Sequence, residues 1–142
     1  MTNENVITQL SIFIGNEPGS LASMACTLKE CGVNLKAFNI AESVGFGVFR
    51  AIVDDPADAY VRLKEKNLII KTTEIVAVSV NDAPGGLFSA ANVLGDAGIN
   101  IEYGYAHEDK DEPIIFFRVD KPEEAVEAFK NARMKVITSK DI

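Results

Sequence analysis

Residues 18–34 read PGSLASMACTLKECGVN, and residues 84–100 read PGGLFSAANVLGDAGIN. The same pattern stands twice, 66 residues apart, with Pro18/Pro84, Gly19/Gly85, Leu21/Leu87, Ser23/Ser89, Leu28/Leu94, Gly32/Gly98 and Asn34/Asn100 identical. The register continues ungapped through Glu42/Glu108, Val53/Val119, Asp54/Asp120, Pro56/Pro122, Ala59/Ala125 and Lys64/Lys130. The chain is a tandem duplication, so one fold serves both halves. A seam between two like halves is also a natural place for a ligand.

Working outward from the first copy, residues 9–14 alternate, with Leu10, Ile12 and Ile14 on one face, which predicts a strand. Residues 15–19 form a turn. Residues 20–31 carry Leu21, Met24, Ala25 and Leu28 at helical spacing, and Gly32 stops the helix. Strands are expected over 33–42 and 48–53, joined near Gly45 and Gly47. A helix starts at Asp55-Pro56, a cap followed by a proline, and buries Ala59, Tyr60 and Leu63. A strand over 68–71 completes βαββαβ. The second copy repeats it: strand 75–80, turn 81–85, helix 86–97, strand 99–107, loop 108–113, strand 114–119, helix 122–132, strand 134–138. Thr72, Thr73 and Glu74 are read as a short linker that holds the halves close together. The expected fold is α+β: two tandem ferredoxin-like βαββαβ units, residues 1–72 and 73–142, each with an antiparallel sheet and both helices on one face. Phe13 alternates away from Leu10 and Ile12, which suggests a partner on the open sheet face.

A unit of roughly 70 residues buries a limited core, so pairing of the halves is expected. The net charge of −7 opposes binding to a phosphate backbone. No run of about 18 apolar residues exists to span a membrane. The opening MTNENVITQL has neither a basic start nor an apolar stretch, so no secretion signal is expected. Cys26 and Cys31 are five apart, match no metal or redox spacing, and read as reduced thiols of a cytoplasmic protein.

A strand, a turn ending in Pro-Gly, a Leu-bearing helix, then Gly-apolar-Asn and a strand resembles the ACT domain, a small βαββαβ regulatory module that binds amino acids. The residues carrying the resemblance are Asn16 to Leu21 with Gly32 to Leu35, and Asp82 to Leu87 with Gly98 to Ile101. It covers nearly the whole chain. The family has Asp two residues before the proline. Asp82 fits and Asn16 does not, so the two copies are expected to differ in affinity. The resemblance implies a free amino acid as ligand, a regulated metabolic enzyme on another chain, and no cofactor.

The motif residues have chemistry of their own. Pro18 and Pro84 set the entry to a helix, and Gly19 and Gly85 let backbone and ligand approach. Free N–H groups beyond them, at Ser20-Leu21 and Gly86-Leu87, suit a carboxylate. Asn16, Asn81 or Asp82 stands ready for an amino group. The plainer reading is a helix-entry turn and nothing more. Asn34 and Asn100 lie near the ligand in the family, across the seam from the facing turn; the alternative is a side chain satisfying local backbone. Glu42 and Glu108 read as solvated strand ends, His107 as a loop-edge residue, and 108–112 as a solvated hairpin tip.

No nucleophile and base, P-loop, zinc spacing or dinucleotide fingerprint can be assembled, so no catalytic or metal-ligating residue is assigned. The expectation is a stand-alone amino-acid sensor, a homodimer or larger. Its rivals are a ligand-free module that docks on a metabolic enzyme, and a small enzyme on a ferredoxin-like scaffold.

Overall fold

The computed structural model describes residues 4–43, 45–109 and 112–142. Its contacts divide into two compact units, Thr8–Thr73 and Glu74–Ile142, the latter together with the segment ending at Ile7.

In the first unit, β1 (Ile7–Gly15) leads through a Pro-Gly turn into α1 (Ser20–Glu30). β2 (Leu35–Ser43) and β3 (Phe46–Val53) form a hairpin, and Val44 lies outside the described residues. α2 (Pro56–Glu65) and the start of β4 (Ile69–Ser79) follow. The strand order is β2-β3-β1-β4. β1 pairs with β3 antiparallel, Ile12 opposite Phe49 and Leu10 opposite Ala51, so these four side chains share one face. They are buried with Met24 and Leu28 of α1 and Ala59 and Leu63 of α2. α2 begins as the sequence predicts: the Asp55 carboxylate accepts from the Asp58 N–H at 3.2 Å, and Pro56 occupies the first helical position.

In the second unit, the remainder of β4 is followed by α3 (Gly86–Asp96), β5 (Ile101–Asp109), β6 (Glu112–Val119), α4 (Pro122–Asn131) and β7 (Val136–Ile137), with β5-β6-β4-β7 as its strand order. Val76, Val78, Ile115, Phe117 and Val119 pack on Ala90 and Leu94 of α3 and Phe129 of α4. Val6 joins this core. In the same segment the Glu4 carboxylate pairs with Lys140 Nζ at 3.2 Å, and Glu4 O accepts from Ser139 N–H at 3.0 Å.

Three details differ from the sequence reading. Thr72, Thr73 and Glu74 are not a loop but the middle of the single strand β4, where two β-branched residues suit an extended backbone. The 108–113 loop is mostly ladder: Glu108 pairs with Pro113 and Asp109 with Glu112, while Lys110 and Asp111 lie outside the described residues. Phe13 is half-buried and meets Phe46 edge-to-face at 5.7 Å, which already covers part of its ring.

The four helices among the described residues end alike. The residue after the last turn has positive φ at Gly32, Asn67, Gly98 and Arg133. The next N–H of α1, α3 and α4 reaches back to a carbonyl of the last turn, as Met134 N–H does to Phe129 O at 2.9 Å. Glycine and asparagine tolerate this conformation readily; Arg133 does so against its preference.

Candidate functional site

The two Pro-Gly turns have one backbone design. Gly19 (φ 90) and Gly85 (φ 101) cap α1 and α3 in the left-handed region, and neither helix has a side-chain cap or an acid in its first turn. Ser20 N–H donates to Glu17 O at 3.2 Å, and Gly86 N–H to Ala83 O at 3.3 Å. The first helical bonds run from Ser23 N–H to Gly19 O and from Ser89 N–H to Gly85 O. The N–H groups of Leu21 and Ala22, and of Leu87 and Phe88, therefore have no intrahelical acceptor. Uncompensated by any side chain, these positive helix ends favour an anion. α2 and α4 differ, with Asp58 in one first turn and Glu123 and Glu124 in the other.

Each turn has one glycine at its close approach, on opposite sides of the contact in the two copies. In the second turn a Cβ on Gly86 would stand 2.9 Å from Asn81 O and 3.2 Å from Val80 Cγ2. In the first turn the residue equivalent to Gly86 is Ser20, and the one equivalent to Asn81 is Gly15. A Cβ on Gly15 would meet Ser20 Oγ at 3.2 Å.

The second turn borders an open cleft of about 530 Å³. The turn supplies Asn81, Pro84, Gly85 and Gly86; α3 adds Phe88 and Ser89; the opposite wall is Ser79 of β4, Glu112 of β6, and Arg133, Met134 and Lys135 between α4 and β7. This wall is held by backbone, Ser79 N–H to Lys135 O at 2.9 Å and Val80 N–H to Pro113 O at 3.0 Å. Lys135 Nζ reaches both oxygens of Glu112, at 3.0 and 3.2 Å. The Ser79 hydroxyl and then Lys135 hold the Glu112 carboxyl below its ordinary range. Arg133 is exposed at the rim. The cleft thus offers the uncapped N–H of Phe88, with that of Leu87 beside it, and the carboxylate of Glu112, the ammonium of Lys135, the guanidinium of Arg133 and Asn81 in its lining.

The repeat makes this polar wall conspicuous. Counting back 66 residues from Ser79, Glu112, Lys135 and Arg133 gives Phe13, Phe46, Ile69 and Asn67. Where the second copy has a hydroxyl, an acid and a base, the first has two packed aromatic rings and an isoleucine that is 69% exposed. One corner of the fold is polar in one copy and apolar in the other.

Of the residues singled out from sequence, Asn81, Pro84, Gly85 and Gly86 line this cleft; Asp82 and Leu87 flank it, exposed, without lining it. Asn16, Pro18, Gly19, Ser20 and Leu21 build the equivalent first turn. Asn34 and Asn100 are not beside the turn of their own unit. Each follows the far end of an eleven-residue helix, about 16 Å along its axis. Asn34 Nδ2 donates to Asp54 Oδ2 at 3.0 Å, a bond that with Lys36 keeps the Asp54 carboxyl below its usual range. Asn100 O accepts from Asp120 N–H at 3.2 Å, and the Asp120 carboxylate accepts from Asn100 N–H at 3.0 Å. The cleft beside Asn34 measures only about 60 Å³, room for a water or two.

Among the described residues no group of three or more His, Cys, Asp or Glu is placed to hold a metal ion, and no helix is long and apolar enough to cross a membrane. Ser79, Glu112, Arg133 and Lys135 were missed from sequence. Comparing the copies position by position for changes of polarity would have found them.

The sequence profile of the family described as an ACT domain pair matches residues 5–142. A protein of Bacteroides thetaiotaomicron with a crystal structure is similar over 99% of this chain and 97% of its own, with 31% identity and a TM-score of 0.91. The ligand-free regulatory subunit of aspartate kinase from Thermus thermophilus shares the fold, with a TM-score of 0.61 and 17% identity over 92% of this chain and 95% of its own. The corresponding subunit from Thermus flavus has a TM-score of 0.58 at 17% identity, covering 89% and 92%. No curated protein matches the chain.

Proposed function

The chain belongs to the family of paired ACT domains, and from that premise we propose that it is a non-catalytic regulatory protein that binds a free amino acid at the second Pro-Gly turn. The observation that carries this reading is the polar cleft beside an uncapped helix start. The ligand carboxylate lies on the N–H groups of Leu87 and Phe88, with Arg133 adding charge from the rim. The ammonium group meets Glu112 and the Asn81 side chain. The first turn keeps the backbone but faces Phe13, Phe46 and Ile69, so it binds the same ligand more weakly. Asn16 in place of the usual Asp acts in the same direction.

Occupancy acts through a metabolic enzyme on another chain, because a ligand has an effect only where it binds two states unequally. The aspartate kinase subunits of like fold support that kind of partner. No cofactor enters this scheme, and the free thiols of Cys26 and Cys31 fit a cytoplasmic setting.

The test is a thermal-shift screen of the twenty amino acids, followed by calorimetry on any hit. At a hundred times its dissociation constant, a true ligand adds about 2.7 kcal/mol of stability. Silence across all twenty would favour a ligand-free docking module instead.

A further inference from the structure

We propose that the amino acid bound at the second turn is an acidic one, its second carboxylate held by the guanidinium of Arg133; this rests on the reading of that cleft as an amino-acid site. The first observation is a strained residue. The four helices described above end on a left-handed residue, at Gly32, Asn67, Gly98 and Arg133. Glycine and asparagine adopt that conformation at little cost, and a long side chain does not. Of the four, the arginine stands at the end that borders the cleft, 66 residues after the asparagine. Strain kept in one copy and avoided in the other marks a side chain with a task outside the fold.

That task is not an internal ion pair. Arg62 pairs with Asp58 and Arg118 with Glu102, whereas the Arg133 guanidinium has no carboxylate in ion-pair reach among the described residues. It lines the cleft from an exposed position. A guanidinium is a planar fork of donors that fits a carboxylate through two parallel bonds. Lys135 adds to it: Nζ makes two bonds to Glu112, which leaves at least one of its three protons for a ligand.

Charge then decides the class. The lining sets Arg133 and Lys135 against Glu112, a net positive cleft on a chain of net charge −7. Asp82 flanks the cleft outside its lining. Asp141 feels Lys135 but does not line the cleft, and its carboxylate accepts from Thr138 N–H and Oγ1, both at 2.9 Å. A neutral zwitterion brings one carboxylate and one ammonium and leaves a cation unmatched. An acidic amino acid brings two carboxylates and one ammonium, the complement of two cations and one carboxylate, and such complementarity sets specificity. An apolar side chain finds no enclosed slot, because Val80 and Met134 pack against the core and Phe88 is 70% exposed. The first turn has Asn67, Ile69 and Phe46 where the second has Arg133, Lys135 and Glu112, so it cannot make this choice.

The test is calorimetric titration of the full chain with matched pairs: aspartate against asparagine, glutamate against glutamine, and each acid against succinate or glutarate, which lack the ammonium. One of the two acids should bind about tenfold or more tighter than its amide and than the dicarboxylate without nitrogen. Arg133→Asn installs the residue of the first copy, which suits the left-handed backbone, and its fold is checked by circular dichroism. It should weaken the acid about tenfold and the amide by no more than about threefold, so the preference collapses; Arg133→Lys should keep part of it. Glu112→Gln should weaken acid and amide alike. An amide or an apolar amino acid that binds as tightly as the acid, and is still weakened by Glu112→Gln, would overturn this inference and leave the amino-acid site standing. A preference that survives Arg133→Asn, or a dicarboxylate that binds as well as the amino acid, would overturn it too. If none of the twenty amino acids binds, the site and the inference fall together.

Discussion

Replacing Gly86 with alanine is the sharpest probe of how the second turn is built. The added Cβ would lie 2.9 Å from the carbonyl oxygen of Asn81 and 3.2–3.3 Å from two carbons of Val80. The first of these is backbone, in a turn already fixed by Pro84 and by the Gly86 N–H to Ala83 O bond, so it cannot swing aside. Overpacking of this kind costs about 1–3 kcal/mol. Alanine recovers some of it through helix propensity, at most about 1 kcal/mol and less at a first helical position. The net loss is about 1–2 kcal/mol, a fall in melting temperature of about 3–6 °C for a chain of this size. Gly15→Ala is the control. Its Cβ would meet Glu17 Oε1 at 3.1 Å and Ser20 Oγ at 3.2 Å, ends of flexible side chains that can rotate away. Differential scanning calorimetry of the two variants checks the argument. If Gly86→Ala melts within a degree of the wild type, or Gly15→Ala falls further, the close approach at the second turn does not constrain the fold.

Lys135→Ala and Glu112→Gln should each weaken amino-acid binding by about tenfold, roughly 1.4 kcal/mol, while Asn34→Ala and Asn100→Ala leave it within a factor of two, as calorimetric titration will show. Arg133→Gly should keep or raise the melting temperature, because it removes a left-handed arginine, and should weaken binding because it removes a rim charge; a loss of stability would count against the strain. Glu112 has a folded value below its ordinary 4.5, so its link to Ser79 and Lys135 is complete above that pH and is lost as the pH falls through the lower folded value. Carbon-13 shifts of its carboxyl during an acid titration read this directly, and a midpoint at or above 4.5 would contradict the contact. Valine at position 19 or 85 tests folding more than binding, since φ of 90 and 101 strains a β-branched residue by about 1–3 kcal/mol; denaturant midpoints should fall in both variants.

Helices were legible because their signals are local. Asp55-Pro56, Gly32 and Gly98 mark ends that the structure places within a residue or two. Strand limits were less legible, because ladder pairing is decided by a distant partner. Thr72-Thr73-Glu74 has no apolar alternation, yet it continues β4. The site was half legible. A Pro-Gly turn is contiguous in sequence, and its glycine conformation is forced. The opposite wall comes from the end of β4, the start of β6 and the α4–β7 connection, which no local window unites. The pairing of Asn34 with Asp54 was equally hidden, twenty residues apart and joined only because β2 and β3 form a hairpin.

Duplication explains why the two corners were free to diverge. The framework of each unit is retained: the same helix ends, the same left-handed cap glycines, the same first helical bonds. A glycine stands on the strand side of this contact in one copy, at Gly15, and on the helix side in the other, at Gly86, where only the second would press on backbone. Either solution keeps the turn. They differ in the residue beside the turn: an asparagine at position 81 in the cleft lining of one, and a glycine at position 15 in the other. Ser79, Glu112 and Lys135 against Phe13, Phe46 and Ile69 extend the same contrast across the wall. A polar network of this kind is costly to leave half satisfied, and Ser79, Glu112 and Lys135 satisfy one another. Two equivalent binding sites would need the same chemistry in both corners. The fold keeps its symmetry in the backbone and abandons it in the side chains at one place, which makes the second turn the one to titrate first.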